Sequence, residues 1–195
     1  MKTKIKLKEL VDIRVGLPLE RKKAKLTSAE QIPYKALTLK SFGDVGAYDE
    51  LPYEEFIADS KIDSKYITAE NNIIVRLRAP NNAIFINNKN AGLVASSLMV
   101  IIESLYPNVL DSKFLAYYLN SQYVQNQLLK NSQGTSIIMT KRIDLLELDI
   151  SLPTLAEQHK IISYIELANQ EINLLQKLIT KKTKLKTDIF ETLIK

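Results

Sequence analysis

The sequence predicts an α+β chain: a strand-rich domain with small helices over residues 1–152, then one long C-terminal coiled-coil helix over residues 153–195. Three observations predict it. Short alternating apolar stretches, separated by Gly, Pro and Asn turns, fill most of the first two thirds. Thr154 and Glu157, directly after Pro153, have the spacing of a capping box. From residue 154 onward there is no glycine or proline for 42 residues, and the apolar side chains fall on a heptad repeat.

In chain order, residues 6–13 read as a short amphipathic element ended by Gly16 and Pro18. Arg21, Lys22, Lys23 and Lys25 form a basic loop. Residues 33–60 read as short strands among turns, with alternation over 34–39 and breaks at Gly43 and Gly46. The clearest strand is 73–78: Ile73, Val75 and Leu77 face one way, Ile74, Arg76 and Arg78 the other. Pro80-Asn81-Asn82 is a turn and 83–86 returns. Residues 87–92 are a polar loop, and 93–102 read as one long buried strand. Asp111 and Ser112 can cap a helix running to about Leu129, with Leu115, Tyr118, Leu119 and Tyr123 on one face. Residues 133–136 interrupt, and 145–152 are strand-like.

The last segment is a rod of about 60 Å at ~1.5 Å per residue. Ile161, Ile165, Ala168, Ile172, Leu175 and Ile179 repeat at 4-3-4-3-4. The register then meets Lys182 and Lys186 before Ile189 and Leu193 resume it. A seam this long needs another helix, most simply the same helix of a second copy; the alternative is a hairpin folded back on its own domain.

Composition removes several chemistries. With no cysteine there is no disulfide scaffold, thiol nucleophile, thiolate zinc site or cysteine-held cluster. One histidine, His159, rules out multi-histidine metal sites. Walker and dinucleotide glycine patterns are missing. Gly43-Asp44-Val45-Gly46 has the outline of a phosphate loop, but Asp44 would repel a phosphate, so it reads as a turn. Asp63-Ser64-Lys65 and Asp111-Ser112-Lys113 match half of a metal-dependent nuclease motif without an acidic partner on an apolar strand. Ser96 and Ser97 lack an elbow. The expectation is a chain without catalysis and without a metal of its own. No apolar run reaches the ~18 residues of a membrane span. The basic N-terminus lacks a signal core, so the expected compartment is the cytoplasm.

Net charge is +5, unevenly placed. Residues 1–25 carry nine basic and three acidic side chains; residues 26–75 carry four and nine. Residues 76–100 add Arg76, Arg78 and Lys89 with no acid. Such zoning suits a surface that meets nucleic acid on one side and protein on another.

Leu152-Pro153-Thr154-Leu155-Ala156-Glu157-Gln158, followed by Ile161-Ile162 and a long helix, resembles the motif closing a target recognition domain in specificity subunits of type I restriction-modification systems. Lys6-Leu7-Lys8-Glu9-Leu10 with Gly16 is similar to the opening of such a domain. Asn72-Ile73-Ile74-Val75-Arg76-Leu77-Arg78 resembles its central strand, and Ala91-Gly92-Leu93-Val94-Ala95-Ser96-Ser97 the stretch after it. Phe114-Leu115-Ala116-Tyr117-Tyr118-Leu119-Asn120-Ser121 and Gly134-Thr135 resemble the helix and turn before the close. The family's usual subunit holds two recognition domains and two helices. This chain has one of each and is similar to a half-subunit.

The resemblance implies sequence-specific recognition of double-stranded DNA by a non-catalytic subunit. It would position DNA adenine methyltransferase subunits and, in a full assembly, a motor-nuclease subunit. S-adenosylmethionine, ATP and magnesium would belong to those partners and not to this chain. Two copies pairing their helices antiparallel would read an interrupted inverted repeat. On this reading Arg21, Lys22, Lys23 and Lys25 are expected on phosphates. Arg76, Arg78, Asn81, Asn82, Asn87, Asn88, Lys89 and Asn90 are candidates for base reading, and Lys141 and Arg142 form a third patch. The alternatives are turn chemistry for the asparagines and ion pairs to the acidic 44–63 region for the two arginines. The competing function is a coiled-coil scaffold whose strand domain binds protein.

Overall fold

The computed structural model describes residues 4–25, 27–42, 50–131 and 139–194. Within them the strands are β1 (Lys4–Lys6), β2 (Val11–Val15), β3 (Ile32–Leu37), β4 (Tyr53–Ala58), β5 (Ile73–Arg76), β6 (Ala83–Phe85), β7 (Met99–Ser104) and β8 (Asp149–Ser151). The helices are α1 (Ser112–Leu119), α2 (Gln122–Asn131), α3 (Arg142–Leu146) and α4 (Leu155–Leu193). The fold is α+β with a long C-terminal helix.

Four strands make the central antiparallel sheet, in the order β2-β7-β5-β6. Ile13, Ile102, Ile73 and Phe85 form one cross-strand row. This row faces the helices, packing with Leu115, Leu119, Val124, Leu128, Leu145 and Ile150. Ile101, Ile74 and Ile84 make a row on the opposite face. There they meet Leu37, Phe42, Leu51 and Leu93. β5 is therefore buried on both sides, which is why its apolar residues run without alternation. A third cluster, Leu17, Ala36, Phe56, Ala58, Ile62 and Val94, lies under the β3–β4 hairpin. β1 pairs with β8 and ties the N-terminus to the approach to α4.

Four local readings need correction. The 6–13 element is two strands split by a 3-10 turn at Leu7–Glu9, because Leu7 is drawn into the core. The 93–102 segment is not one strand: Val94 pairs with Ala36 and Ile67, the chain turns, and only then does β7 begin. The turn lets β2 exit close by. A Cβ at Gly16 would collide with the carbonyl oxygens of Ala95 and Ser96, so glycine is required there. The 112–129 helix breaks at Asn120, whose Nδ2 donates to Ala83 O at 2.7 Å while its Oδ1 accepts from Ala83 N at 2.8 Å. That exchange pins the end of α1 to β6, and Tyr123 is exposed as a result. Finally, residues 145–152 are split between α3 and β8. The cap at Asp111 forms as expected, accepting from Lys113 N and Phe114 N. The turns at 43–46 and 133–136 lie outside the described residues.

Candidate nucleic-acid interface

The basic segment 21–25 is ordered against β4. Ala24 N donates to Ile57 O and Asp59 N to Lys22 O, both at 2.9 Å, and Lys23 pairs with Ala58. Lys22 is spent on the fold: its Nζ donates to Ser60 Oγ at 2.8 Å and lies 3.8 Å from Asp59. Arg21, Lys23 and Lys25 are exposed and make no ion pair among the described residues.

Arg76 closes β5 on the face shared with Ile74, opposite Met99 of β7. It is half-buried, and its buried Nε has no hydrogen-bond partner among the described residues. Arg78 is exposed, beside Met139. Neither arginine has a carboxylate partner among the described residues, so the ion-pair alternative finds no support there; residues 43–49 lie outside them. Sequence reasoning passed over Arg14, on the same sheet face. It is neutralised by Glu103 at 2.8 Å, with Asp12 at 3.6 Å.

The asparagines divide. Asn81 is 1% exposed: its Nδ2 donates to Arg76 O at 2.9 Å, and its Oδ1 accepts from Thr140 Oγ1 at 3.0 Å. Asn90 is also buried; its Oδ1 accepts from Leu51 N, and its Nδ2 donates to Asn87 Oδ1. Asn87 caps the 3-10 turn at Asn88–Asn90. For Asn81, Asn87 and Asn90 the amides serve the fold, which corrects their candidacy as base readers. Asn82 is half-buried, with its Nδ2 3.4 Å from Phe42 O. Asn88 and Lys89 are exposed.

Lys141 and Arg142 open α3. Arg142 Nε donates to Ile13 O at 2.7 Å, while Thr140 N donates to Leu77 O at 2.8 Å. The fold thus gathers Arg76, Arg78 and Asn82 at one end of the central sheet, with Lys141 next to Thr140 there, whereas the Arg142 guanidinium is spent on Ile13 O in the middle of β2. β2 leaves at that same end, where Leu17 pairs with Ser96, and leads through the turn Leu19–Arg21 into the basic segment. Asn88 and Lys89 follow β6 and sit at the opposite end, where Ile86 N donates to Asn72 O. The base-reading candidates are therefore split.

Both nuclease-like triplets serve as caps. Asp63 caps Ser64–Tyr66, and its carboxyl is held below the usual range chiefly by the Lys65 backbone N–H. Asp111 caps α1. No group of three His, Cys, Asp or Glu able to hold a metal occurs among the described residues, and no described helix is long and apolar enough to cross a membrane.

α4 starts on the expected capping box: Thr154 N donates to Glu157 Oε2, and Glu157 N to Thr154 Oγ1. Its first turns dock on α1 through Ile162, which joins the core, and through the Lys113–Glu166 ion pair. Ile161, the first residue of the seam, faces outward. Ile165 and Ala168 are half-buried, and from residue 170 to 194 every side chain is exposed. The seam residues Ile172, Leu175, Ile179, Ile189 and Leu193 stand open, Ile179 at 64%. A second stripe went unread in the sequence. Tyr164, Leu167, Leu174, Leu178 and Leu185 occupy the same 3-4 grid one residue earlier, and all are exposed. Together the two stripes make an apolar arc wider than a two-helix seam.

The profile described as the type I restriction modification DNA specificity domain matches residues 2–186. A search of the curated proteins finds no match to the chain. Among solved structures, a chain from work on complex assembly and conformational transition of the type I R-M system is similar at 18% identity and TM-score 0.62, over 90% of this chain and 40% of that one. The HsdS subunit from Thermoanaerobacter tengcongensis is similar at 19% identity and TM-score 0.58, covering 90% and 39%. The type I restriction-modification system S subunit from M. genitalium gives 21% and 0.56, covering 93% and 42%. At these identities the likeness is one of fold, and the chain spans about 40% of the length of the solved chains it matches. With the profile covering nearly the whole sequence, the chain belongs to the type I restriction modification DNA specificity domain family.

Proposed function

We propose that this chain is a sequence-specific DNA-recognition subunit that acts as a homodimer through antiparallel α4 helices. The observation that carries the reading is a single construction: a globular head with uncompensated cations at one sheet end, joined to a shaft whose apolar arc lies open. Arg76 and Arg78 are the base-reading candidates there. Arg21, Lys23 and Lys25, with Lys141, supply phosphate contacts. The chain is non-catalytic; it places adenine methyltransferase subunits, which carry S-adenosylmethionine, on a bipartite target in the cytoplasm. Where a motor-nuclease subunit joins, ATP and magnesium belong to it.

Charge along α4 supports the antiparallel pairing. The first half carries Glu157, Glu166 and Glu171 against Lys160, with Glu171 outside the capping box and the Lys113 pair, whereas residues 177–186 carry Lys177, Lys181, Lys182, Lys184 and Lys186 without an acid. Parallel copies would set lysine against lysine; antiparallel copies set lysine against glutamate. Pairing would cover Ile172, Leu175 and Ile179 on both helices, and burial of such apolar side chains is what favours the pair. The second stripe remains for the methyltransferase to grip.

A salt titration of duplex binding tests this against the scaffold reading. Phosphate contact makes affinity fall steeply with salt, because counterions are released. Affinity indifferent to salt contradicts the proposal and favours the scaffold.

A further inference from the structure

We infer that Gln158 is a positioning residue that sets the distance between the two DNA half-sites without reading either. The inference rests on the dimeric DNA-reading role proposed above.

Gln158 is 0% exposed, on the first turn of α4. Its Oε1 accepts from Asp111 N at 2.9 Å, and its Nε2 donates to Val109 O at 2.8 Å and Pro153 O at 2.9 Å. One side chain thus binds the loop before α1, the N-cap of α1 and the residue before the N-cap of α4. Asp111 passes the constraint on, because its carboxylate holds the first turn of α1. α1 in turn lies against β5 and β6 and is pinned to Ala83 by Asn120. Further along, Ile162 enters the core and Glu166 pairs with Lys113. From residue 170 to 194 α4 is fully exposed. The angle between head and shaft is therefore fixed within about three turns, with Gln158 as the buried pin.

That angle governs spacing. The reading groups Arg76 and Arg78 sit on the head, and the pairing seam lies on the free shaft. A head of about 150 residues is roughly 35 Å across. A rotation of about 6° at the joint moves its far side by about 3.5 Å, close to the ~3.4 Å step of one base pair. A loosened joint therefore relaxes the gap while leaving each half-site contact intact.

The test is selection by the full chain from a random duplex library, sequenced for both half-site sequence and gap length. The wild-type chain is expected to choose one gap. Gln158→Met keeps length but loses all three hydrogen bonds. It is expected to choose the same half-sites while its preference for one gap over its neighbours falls by about tenfold, comparable to losing one base contact. Lys113→Glu, at the half-buried ion pair with Glu166, is expected to broaden the gap less, and Lys113→Glu with Glu166→Lys to restore it. Should Gln158→Met fail to fold, the Lys113–Glu166 swap decides. A wild-type gap distribution in these variants, or a swap that restores nothing, overturns the inference alone. A wild-type chain that selects no interrupted repeat overturns the proposed function, and this inference with it.

Discussion

Arg14 and Arg76 lie on the same face of the central sheet and meet opposite fates. Both are half-buried with an Nε that makes no hydrogen bond, but Glu103 and Asp12 neutralise Arg14, while Arg76 has no carboxylate partner among the described residues. On the proposed reading this uncompensated guanidinium meets a guanine edge or a phosphate. Replacing Arg76 and Arg78 together by alanine is expected to weaken or respecify DNA binding by about 1–3 kcal/mol per lost base contact. The melting temperature should stay unchanged, and unchanged target selection would remove these residues from the readout face. Asn81 gives the converse. Asn81→Ala strands Arg76 O and Thr140 Oγ1 in the interior, and urea unfolding should show a loss of about 2 kcal/mol. At this scale the sequence showed which residue types could read DNA but not which were free. Asn81 and Asn88 look alike in a string of asparagines. Only the packing of the Pro80–Asn82 turn against Thr140 reveals that one of them is buried.

Elements were legible where periodicity and caps agreed. The Thr154–Glu157 box and the start of α1 at Asp111 both form as read, because capping is local chemistry. Thr154→Ala should cost about 1 kcal/mol in thermal or urea unfolding. The 93–102 segment misled because an apolar run does not reveal a turn: Val94 pairs with Ala36 and Ile67, and β7 begins only at Met99. The 112–129 helix misled because Asn120 trades helix continuation for two bonds to Ala83. The clamp of the 3-10 turn Leu7–Glu9 onto α3 adds a pH signature. Glu147 is held below the usual carboxylate range first by its hydrogen bond from Lys8, and Lys8 is raised first by the same bond. The Glu147 contribution is present above its ordinary value of 4.5 and is lost as pH falls through the lowered value. The Lys8 contribution is present below 10.5 and is lost as pH rises through the raised one. Lys8→Ala should therefore flatten the acid limb of the stability profile measured by urea unfolding; an unaltered limb would show the clamp to be idle.

For the whole molecule, the architecture is a head, a pinned root and a bare shaft. The heptad pattern revealed the shaft in the sequence, but not which face docks on the head. Gln158 and Ile162, one turn apart, are the buried residues of α4 and mark the docked face. Ile165→Lys with Ile172→Lys should give monomers by sedimentation equilibrium, and a dimer surviving that change would mean the seam lies elsewhere, for instance on the Tyr164–Leu185 stripe. The most direct measurement is to co-express the chain with a type I adenine methyltransferase subunit, co-purify them, and map the methylated adenines on genomic DNA. One interrupted inverted repeat is expected, present with the wild-type chain and gone with the Ile165→Lys, Ile172→Lys pair. Methylation that ignores this chain, or a target that is neither interrupted nor symmetric, would contradict it.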